Sequence, residues 1–499
     1  MNPYLQPIPV GSALPINNLH AVSVSLPTMA DVIGYEEDDI AVTRKMQSGY
    51  PRFFMNKLVE KLVMYLRKKH LASDDFEMLP LMSYTALEIV ERKFNFSFKH
   101  IEEDGCIFLL IGKDSSQLQE IKDFIRHTGI LLSSRKAEDI LFSRGVIAQK
   151  QIEAGDEQPD AANVVKANLC SAYGAASINN VFLCNSGMNA VYAAFEAVIR
   201  LNGNTEKQTI LQAGWLYLDT LEIIKKFSNG HVLMNSVTDI AQLEEMIVKV
   251  HKTIGAVFTE IPNNPLLECV DLPRLYELCN KYNIPLIVDS TIGTAYNLNI
   301  LPYCDLAVES LTKFACGKGD VLMGAVILNP ESFIAGTIKE LLLPDIIDPY
   351  PRDVRRLAAS IDGYEDRVRT ISENTARVID YLDKSLAVAD VYSVLHTRSY
   401  ENFLKIRKHP HALPGLISVV FEKELACYYD KLNLPKGPSL GTEFTLAMPY
   451  VYLAYYDMVR TREGREELMR KGLHPELLRI SIGTEPSEEI IRVLKAAGI

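Results

Sequence analysis

The chain has 499 residues, 48% of them hydrophobic and 23% charged, and a formal net charge of -11. That length calls for two or three domains, and the composition is that of an ordinary globular protein. The acidic balance argues against a nucleic-acid or anionic-membrane surface, which needs a basic excess, and no segment approaches the roughly 20 consecutive apolar residues of a membrane span.

Residues 1–27, rich in Pro and Asn, lack a basic start followed by an apolar block and read as an extended arm rather than a signal peptide. Residues 72–178 mix helical pieces at 118–127 and 137–144, a strand at 106–111 and a polar acidic loop at 153–160. From about residue 180 strand and helix alternate. Strands are predicted at 181–184, 209–212, 231–234, 256–259, 285–289, 305–309 and 322–328, with helices at 186–201, 218–227, 240–251 and 272–282 between them. Such alternation predicts an α/β fold, a mainly parallel doubly wound sheet whose ligands sit beyond the carboxyl ends of the strands. Beyond Pro330 the strand signal fades. Residues 352–386 read as one connecting helix, and a smaller α+β domain follows from about 389. The eight cysteines form no CxxC pair and no zinc-spaced Cys/His cluster, so no metal site is expected and the thiols fit a reducing cytoplasm.

The chemistry-bearing residues fall near predicted strand ends. Lys313 lies in Ser310-Leu311-Thr312-Lys313, just past one strand, and Asp289 closes the apolar strand before it. A carboxylate buried there needs a cationic or donor partner. Pyridoxal phosphate needs an amine for its aldehyde, an anion for its ring nitrogen and donors for its phosphate, and this chain offers all three. A structural cap is the competing use of Asp289; a metal suits it poorly, because no His or second acid is close in sequence. Ser186-Gly187-Met188-Asn189 opens a helix, where free N–H groups and the dipole attract phosphate, although Ser is equally a helix N-cap. Tyr217 offers a ring to stack on a planar cofactor, or a core aromatic. Asn264, held extended by Pro265, aims its amide at a ligand or simply makes a turn. Arg479 fits an amino-acid carboxylate with two parallel hydrogen bonds, or is an ordinary strand arginine.

Together these blocks resemble the Cys/Met-metabolism family of fold-type-I pyridoxal-phosphate enzymes, most of all the extended fungal-type cystathionine gamma-synthases. They occur in order: Ser186-Gly187-Met188, Tyr217 with Thr220, residues 260–265, Asp289-Ser290-Thr291, residues 310–313 with Gly317 and Asp320, Ser439-Leu440-Gly441, and residues 479–485. Residues 20–28 resemble the family's opening segment, and Gly49-Tyr50-Pro51-Arg52-Phe53 stands where its Y-x-R motif does. A second match, Phe142-Ser143-Arg144, lacks the phenol.

The resemblance implies a role for each residue. Lys313 is the cofactor lysine and base, and Tyr217 stacks and assists proton transfer. Asp289 faces the ring nitrogen, with Thr291 and Asn264 beside the cofactor. Ser186, Gly187, Met188, Ser310 and Thr312 take the phosphate, joined by Tyr50 and Arg52 from a neighbouring subunit. Ser439 and Arg479 bind substrate. It further implies small amino-acid substrates, a homodimer or homotetramer with shared active sites, and γ-replacement on an activated homoserine with cysteine to form cystathionine. A β- or γ-lyase acting on cystathionine or methionine shares the same blocks. A scaffold that has lost catalysis is the rival of another class, and the presence of Lys313, Asp289 and Arg479 argues against it. The implied layout is an arm and subunit-contact segment at 1–71, an insertion at 72–178, a cofactor-binding domain at 179–350, a connecting helix at 351–388 and a small domain at 389–499. The departures are the distance of 134 positions from Arg52 to Ser186, Lys318 in place of a His, and Leu218-Asp219 in place of two glycines.

Overall fold

The computed structural model describes residues 2–71, 73–155, 158–203, 205–234 and 237–499. At its centre, β1 (Val181–Cys184), β2 (Thr209–Ala213), β3 (Gly230–Met234), β4 (Ile254–Glu260), β5 (Leu286–Asp289), β6 (Leu306–Glu309) and β7 (Gly324–Leu328) form one sheet in the order β1-β7-β6-β5-β4-β2-β3. Neighbours from β6 to β3 run parallel, as the alternating pattern predicts, and β7 runs antiparallel to both β6 and β1. The link at 310–323 makes turns around Lys313 instead of a crossover helix, so the chain returns in the opposite direction.

Alternate residues of the buried strands serve two cores. Ala256, Phe258, Ile287, Val308 and Val326 face one, and Val257, Leu286, Val288, Ala307 and Ile327 face the other. Helix Gly187–Asn202 fills the first face. Helices Ala161–Tyr173 and Leu272–Lys281 cover the second.

The single helix expected over 352–386 is two helices, Pro351–Ile361 and Tyr364–Leu382, parted at Asp362-Gly363. Glycine is a poor helix-interior residue, and the apolar periodicity on either side hid the break. Beyond lies a four-stranded antiparallel sheet in the order Val388–Tyr392, Leu416–Phe421, Leu478–Ser481, Leu446–Pro449.

Residues 76–131 fold as a split βαβ module. Strand Phe76–Leu81 lies beside Cys106–Gly112, which also pairs His100–Glu103, and Leu131 bridges to Leu81 on the outer edge. Helices Tyr84–Phe94 and Leu118–Thr128 connect the strands. Helix Lys57–His70 buries Leu58, Leu62 and Leu66 in the same core as Leu87, Phe108 and Phe124. Phe124 meets Tyr192 of helix Gly187–Asn202 edge to face at 5.6 Å, so module and central sheet share one core. Two residues of the acidic loop at 153–160 lie outside the described residues. The N-terminal arm runs along its own chain. Val22 N–H donates to Gly319 O at 2.9 Å and Leu26 N–H to Lys436 O at 2.8 Å. Among the described residues no helix is long and apolar enough to cross a membrane, and no group of His, Cys, Asp and Glu is placed to hold a metal ion.

Candidate active site

A cavity of about 770 Å³ opens beyond the carboxyl ends of β1, β4, β5 and β6, against the small domain. Its wall includes Tyr50, Arg52, Ser186, Gly187, Met188, Tyr217, Asn264, Asp289, Thr291, Ser310, Lys313, Ser439 and Arg479. The strand-end rule and the spaced motifs thus converge on one place. Thr312 stands apart. Its hydroxyl donates to Met323 O at 3.3 Å and accepts from Met323 N–H at 3.2 Å, outside the cavity wall. Phe142-Ser143-Arg144 is also elsewhere, with Arg144 paired to Glu103 at 2.7 Å.

Lys313 Nζ donates to Ser439 Oγ at 2.8 Å and to Tyr50 Oη at 3.2 Å. Burial lowers its pKa below the usual lysine range; Tyr50 opposes this, and the Arg479 and Arg52 charges add to it. Burial would raise the Tyr50 phenol, but the adjacent Lys313 and Arg52 cations outweigh it and pull the pKa below its ordinary value. Ser439 has φ +91°, in the left-handed region that costs a side-chain-bearing residue strain. That bend lets one residue serve two cations: its Oγ meets Lys313 and its carbonyl accepts from Arg479 Nη2 at 2.6 Å.

Asp289 ends β5 half-buried at the cavity wall, and its carboxylate accepts from Thr291 N–H at 2.9 Å. Burial raises its pKa, Thr291 resists, and among the described residues no cation pairs with it. A carboxylate that lines the cavity and has no cation paired with it among the described residues fits a protonated ring nitrogen. Arg479 comes from the small-domain strand Leu478–Ser481, packs over the Tyr450 ring at 5.3 Å and reaches Asn264 Oδ1 at 3.4 Å. Burial lowers its pKa, and it forms no ion pair with a carboxylate among the described residues, so its charge is available to one.

At the start of helix Gly187–Asn202, Asn189 N–H donates to Ser186 Oγ at 3.0 Å while the Ser186 hydroxyl donates to Gly129 O at 2.8 Å. Ser186 is therefore the N-cap as well as part of the wall, and its oxygen is already engaged. A Cβ on Gly187 would fall 2.7 Å from Ser310 Cβ, so only glycine permits this approach of helix end to loop.

Several wall residues were not among the expected site residues. Glu260 ends β4, accepts from Tyr217 N–H at 2.9 Å, and has its pKa raised by burial and the Asp289 charge. Glu309 ends β6 and accepts from Tyr173 Oη at 2.6 Å and Tyr364 Oη at 2.7 Å; burial lifts it to about 7. Both are strand-end acids beside residues that were singled out, and that position was the available signal. Asp219, two residues past Tyr217, was also not expected; it lies behind the wall and pairs with Arg52, while Arg52 also donates to the Tyr217 hydroxyl. The resemblance implied Tyr50 and Arg52 from a neighbouring subunit; here both enter the cavity of their own chain. A smaller cavity of about 350 Å³ lies behind Arg52 and Phe53, between the module and the sheet, away from Lys313, Asp289 and Arg479.

The fold and the lysine–carboxylate–arginine set define a fold-type-I pyridoxal-phosphate enzyme. The model of the Cys/Met metabolism PLP-dependent enzyme family matches residues 158–497, and the chain belongs to that family, with pyridoxal 5'-phosphate as its cofactor. It is 35% identical to L-2-amino-4-chloropent-4-enoate dechlorinase/desaturase of Streptantibioticus cattleyicolor, over 96% of each chain. With a cystathionine gamma-synthase of Neurospora crassa the identity is 26%, over 99% of this chain and 98% of that one. Among solved structures, cystathionine gamma synthase from Xanthomonas oryzae pv. oryzae in complex with aminoacrylate and cysteine matches with TM-score 0.58 and 21% identity, over 70% of this chain and 90% of that one. Cystathionine gamma-lyase from Lactobacillus plantarum matches with TM-score 0.57 and 21% identity, over 70% and 91%.

Proposed function

We propose that the enzyme catalyses γ-replacement on an activated homoserine, with the thiol of cysteine as the incoming group and cystathionine as the product. One observation carries this reading: a buried amine of lowered pKa, Lys313, stands in one cavity with a cation-free carboxylate, Asp289, and a carboxylate-free guanidinium, Arg479. The similarity to the cystathionine gamma-synthase of Neurospora crassa supports it.

Bound pyridoxal phosphate supplies an electron sink for negative charge developing at the substrate Cα. Lys313 would hold the cofactor aldehyde in the resting enzyme. Asp289 would keep the ring nitrogen protonated, with Tyr217, Asn264 and Thr291 as the wall residues available to the ring. The helix start at Gly187 and Met188, Ser310, and Arg52 with Tyr50 would hold the phosphate. Arg479 fixes the substrate carboxylate and, with Ser439, sets which hydrogen faces Lys313. A lysine whose ammonium form is disfavoured by burial is a competent base at Cα. Tyr50 Oη, 3.2 Å from Lys313 Nζ and of lowered pKa, is placed to exchange that proton. The Cγ–O bond of the activated homoserine breaks, its activating group leaves as the acid anion, and the cysteine sulfur forms the Cγ–S bond as the thiol releases its proton.

A second reading is γ-elimination without capture of a thiol. The dechlorinase/desaturase relative favours it, as does the apolar, aromatic outer wall of Met448, Tyr450, Leu453 and Tyr455. Mass spectrometry of products decides between them, using acetyl-, succinyl- and phosphohomoserine, each with and without cysteine. Cystathionine formed only with cysteine present is the expected result. Ammonia and a keto acid formed at the same rate regardless of cysteine would overturn the synthase reading.

A further inference from the structure

We propose that His127, carried by the split βαβ module, is a positioning residue of the cofactor site: through Asp219 it fixes Arg52 inside the cavity of its own chain, so that each chain holds a complete site without a residue from a second copy. The inference rests on the reading above in one respect, that Arg52 is the cation facing the cofactor phosphate.

The link is continuous and buried. Asp219 is 1% exposed, in the first turn of helix Leu218–Phe227. One of its oxygens pairs with Arg52, and the other lies 2.7 Å from His127 Nδ1 at the end of helix Leu118–Thr128. His127 Nε2 lies 3.0 Å from Lys226 Nζ. An ammonium can only donate, so Nε2 accepts and the ring proton sits on Nδ1, facing Asp219. A carboxylate held on both sides presents Arg52 in one orientation, with its second nitrogen on the Tyr217 hydroxyl. An isolated Arg52 would be free to leave with its loop.

The loop is tied to its own chain on both sides. Before it, Gln47 N–H donates to Gly11 O at 2.8 Å and the Ser48 hydroxyl to Ala21 O at 2.6 Å. After it, Asn56 caps helix Lys57–His70, which shares the module's core. The helix that follows the module, Ser134–Ser143, is bound to the catalytic layer by the Arg135–Asp353 pair at 2.8 Å and by Tyr350 Oη donating to Asp139 at 2.7 Å. Arg52 thus reaches the cavity through a body anchored at each step to the chain it serves. That gives the 133 residues between Arg52 and Ser186 a physical purpose.

Two measurements test this. In the first, dissociation constants for pyridoxal phosphate and for pyridoxal are compared in His127→Leu and His127→Gln proteins. Loss of the Nδ1 donor should weaken pyridoxal phosphate roughly tenfold and leave pyridoxal within about twofold, while Gln, which keeps an N–H, restores most of the affinity. Equal weakening of both ligands, or of neither, would overturn the positioning role. In the second, Lys313→Ala and Arg52→Ala chains carrying different tags are co-expressed and captured through both. A shared site would regain up to about half of wild-type turnover in the mixed assembly, because one intact pairing forms. A self-contained site regains none, and recovery of turnover would sink the proposal. Absence of any doubly tagged species, with full turnover in the wild-type monomer, supports it. Wild-type protein that binds neither ligand would overturn the functional reading instead, so the two failures are distinguishable.

Discussion

Glu309 shows how much one buried carboxyl can tell. Burial, opposed by the Tyr173 and Tyr364 hydroxyls and reinforced by Asp289, raises its pKa from 4.5 to about 7. In the folded chain it keeps its proton over a range where the unfolded chain has released it. Stability is therefore full below the unfolded value, falls as pH rises, and has lost its share above about 7, by roughly 3 kcal/mol. Glu309→Gln is neutral throughout. Urea unfolding of the cofactor-free proteins should find the variant more stable than wild type near pH ~8 and level with it near pH ~4.5. A difference that does not change with pH would contradict the buried, protonated state. The meeting of Lys313, Asp289 and Arg479 in one cavity was readable in the sequence because each lies in or near a strand within a fixed local pattern. Glu309 and Glu260 close strands as Asp289 does and could have been read from that position.

Elements follow the sequence closely where periodicity is strong. The helix expected at 218–227 is Leu218–Phe227, and the strand at 181–184 is Val181–Cys184. Strand Phe76–Leu81 and helix Tyr84–Phe94 gave no such signal, since their apolar residues pack against a module whose pairing is nonlocal. The start of helix Gly187–Asn202 settles a choice the sequence left open, because Ser186 both caps the helix and borders the cavity. Ser186→Ala should lower stability by about 1–2 kcal/mol, through the lost cap on Asn189 and the unpaired Gly129 carbonyl. A denaturant midpoint unchanged from wild type would show that the hydroxyl holds neither end.

At the scale of the whole molecule, the sheet, the small domain and the motif order were legible, and the partnership between residues far apart in sequence was not. Nothing in the spacing joins His127 to Asp219 or brings Arg52 to its own chain's Tyr217; only the module docked on helix Gly187–Asn202 does so. All of the proposed chemistry depends on Lys313 as the cofactor lysine. The most direct measurement is borohydride reduction of the cofactor-loaded enzyme, followed by digestion and mass mapping of the peptides. The account expects a single pyridoxyl group per chain on Lys313, absent from Lys313→Ala protein. A pyridoxyl group on Lys318 or any other lysine, or none at all, would contradict it.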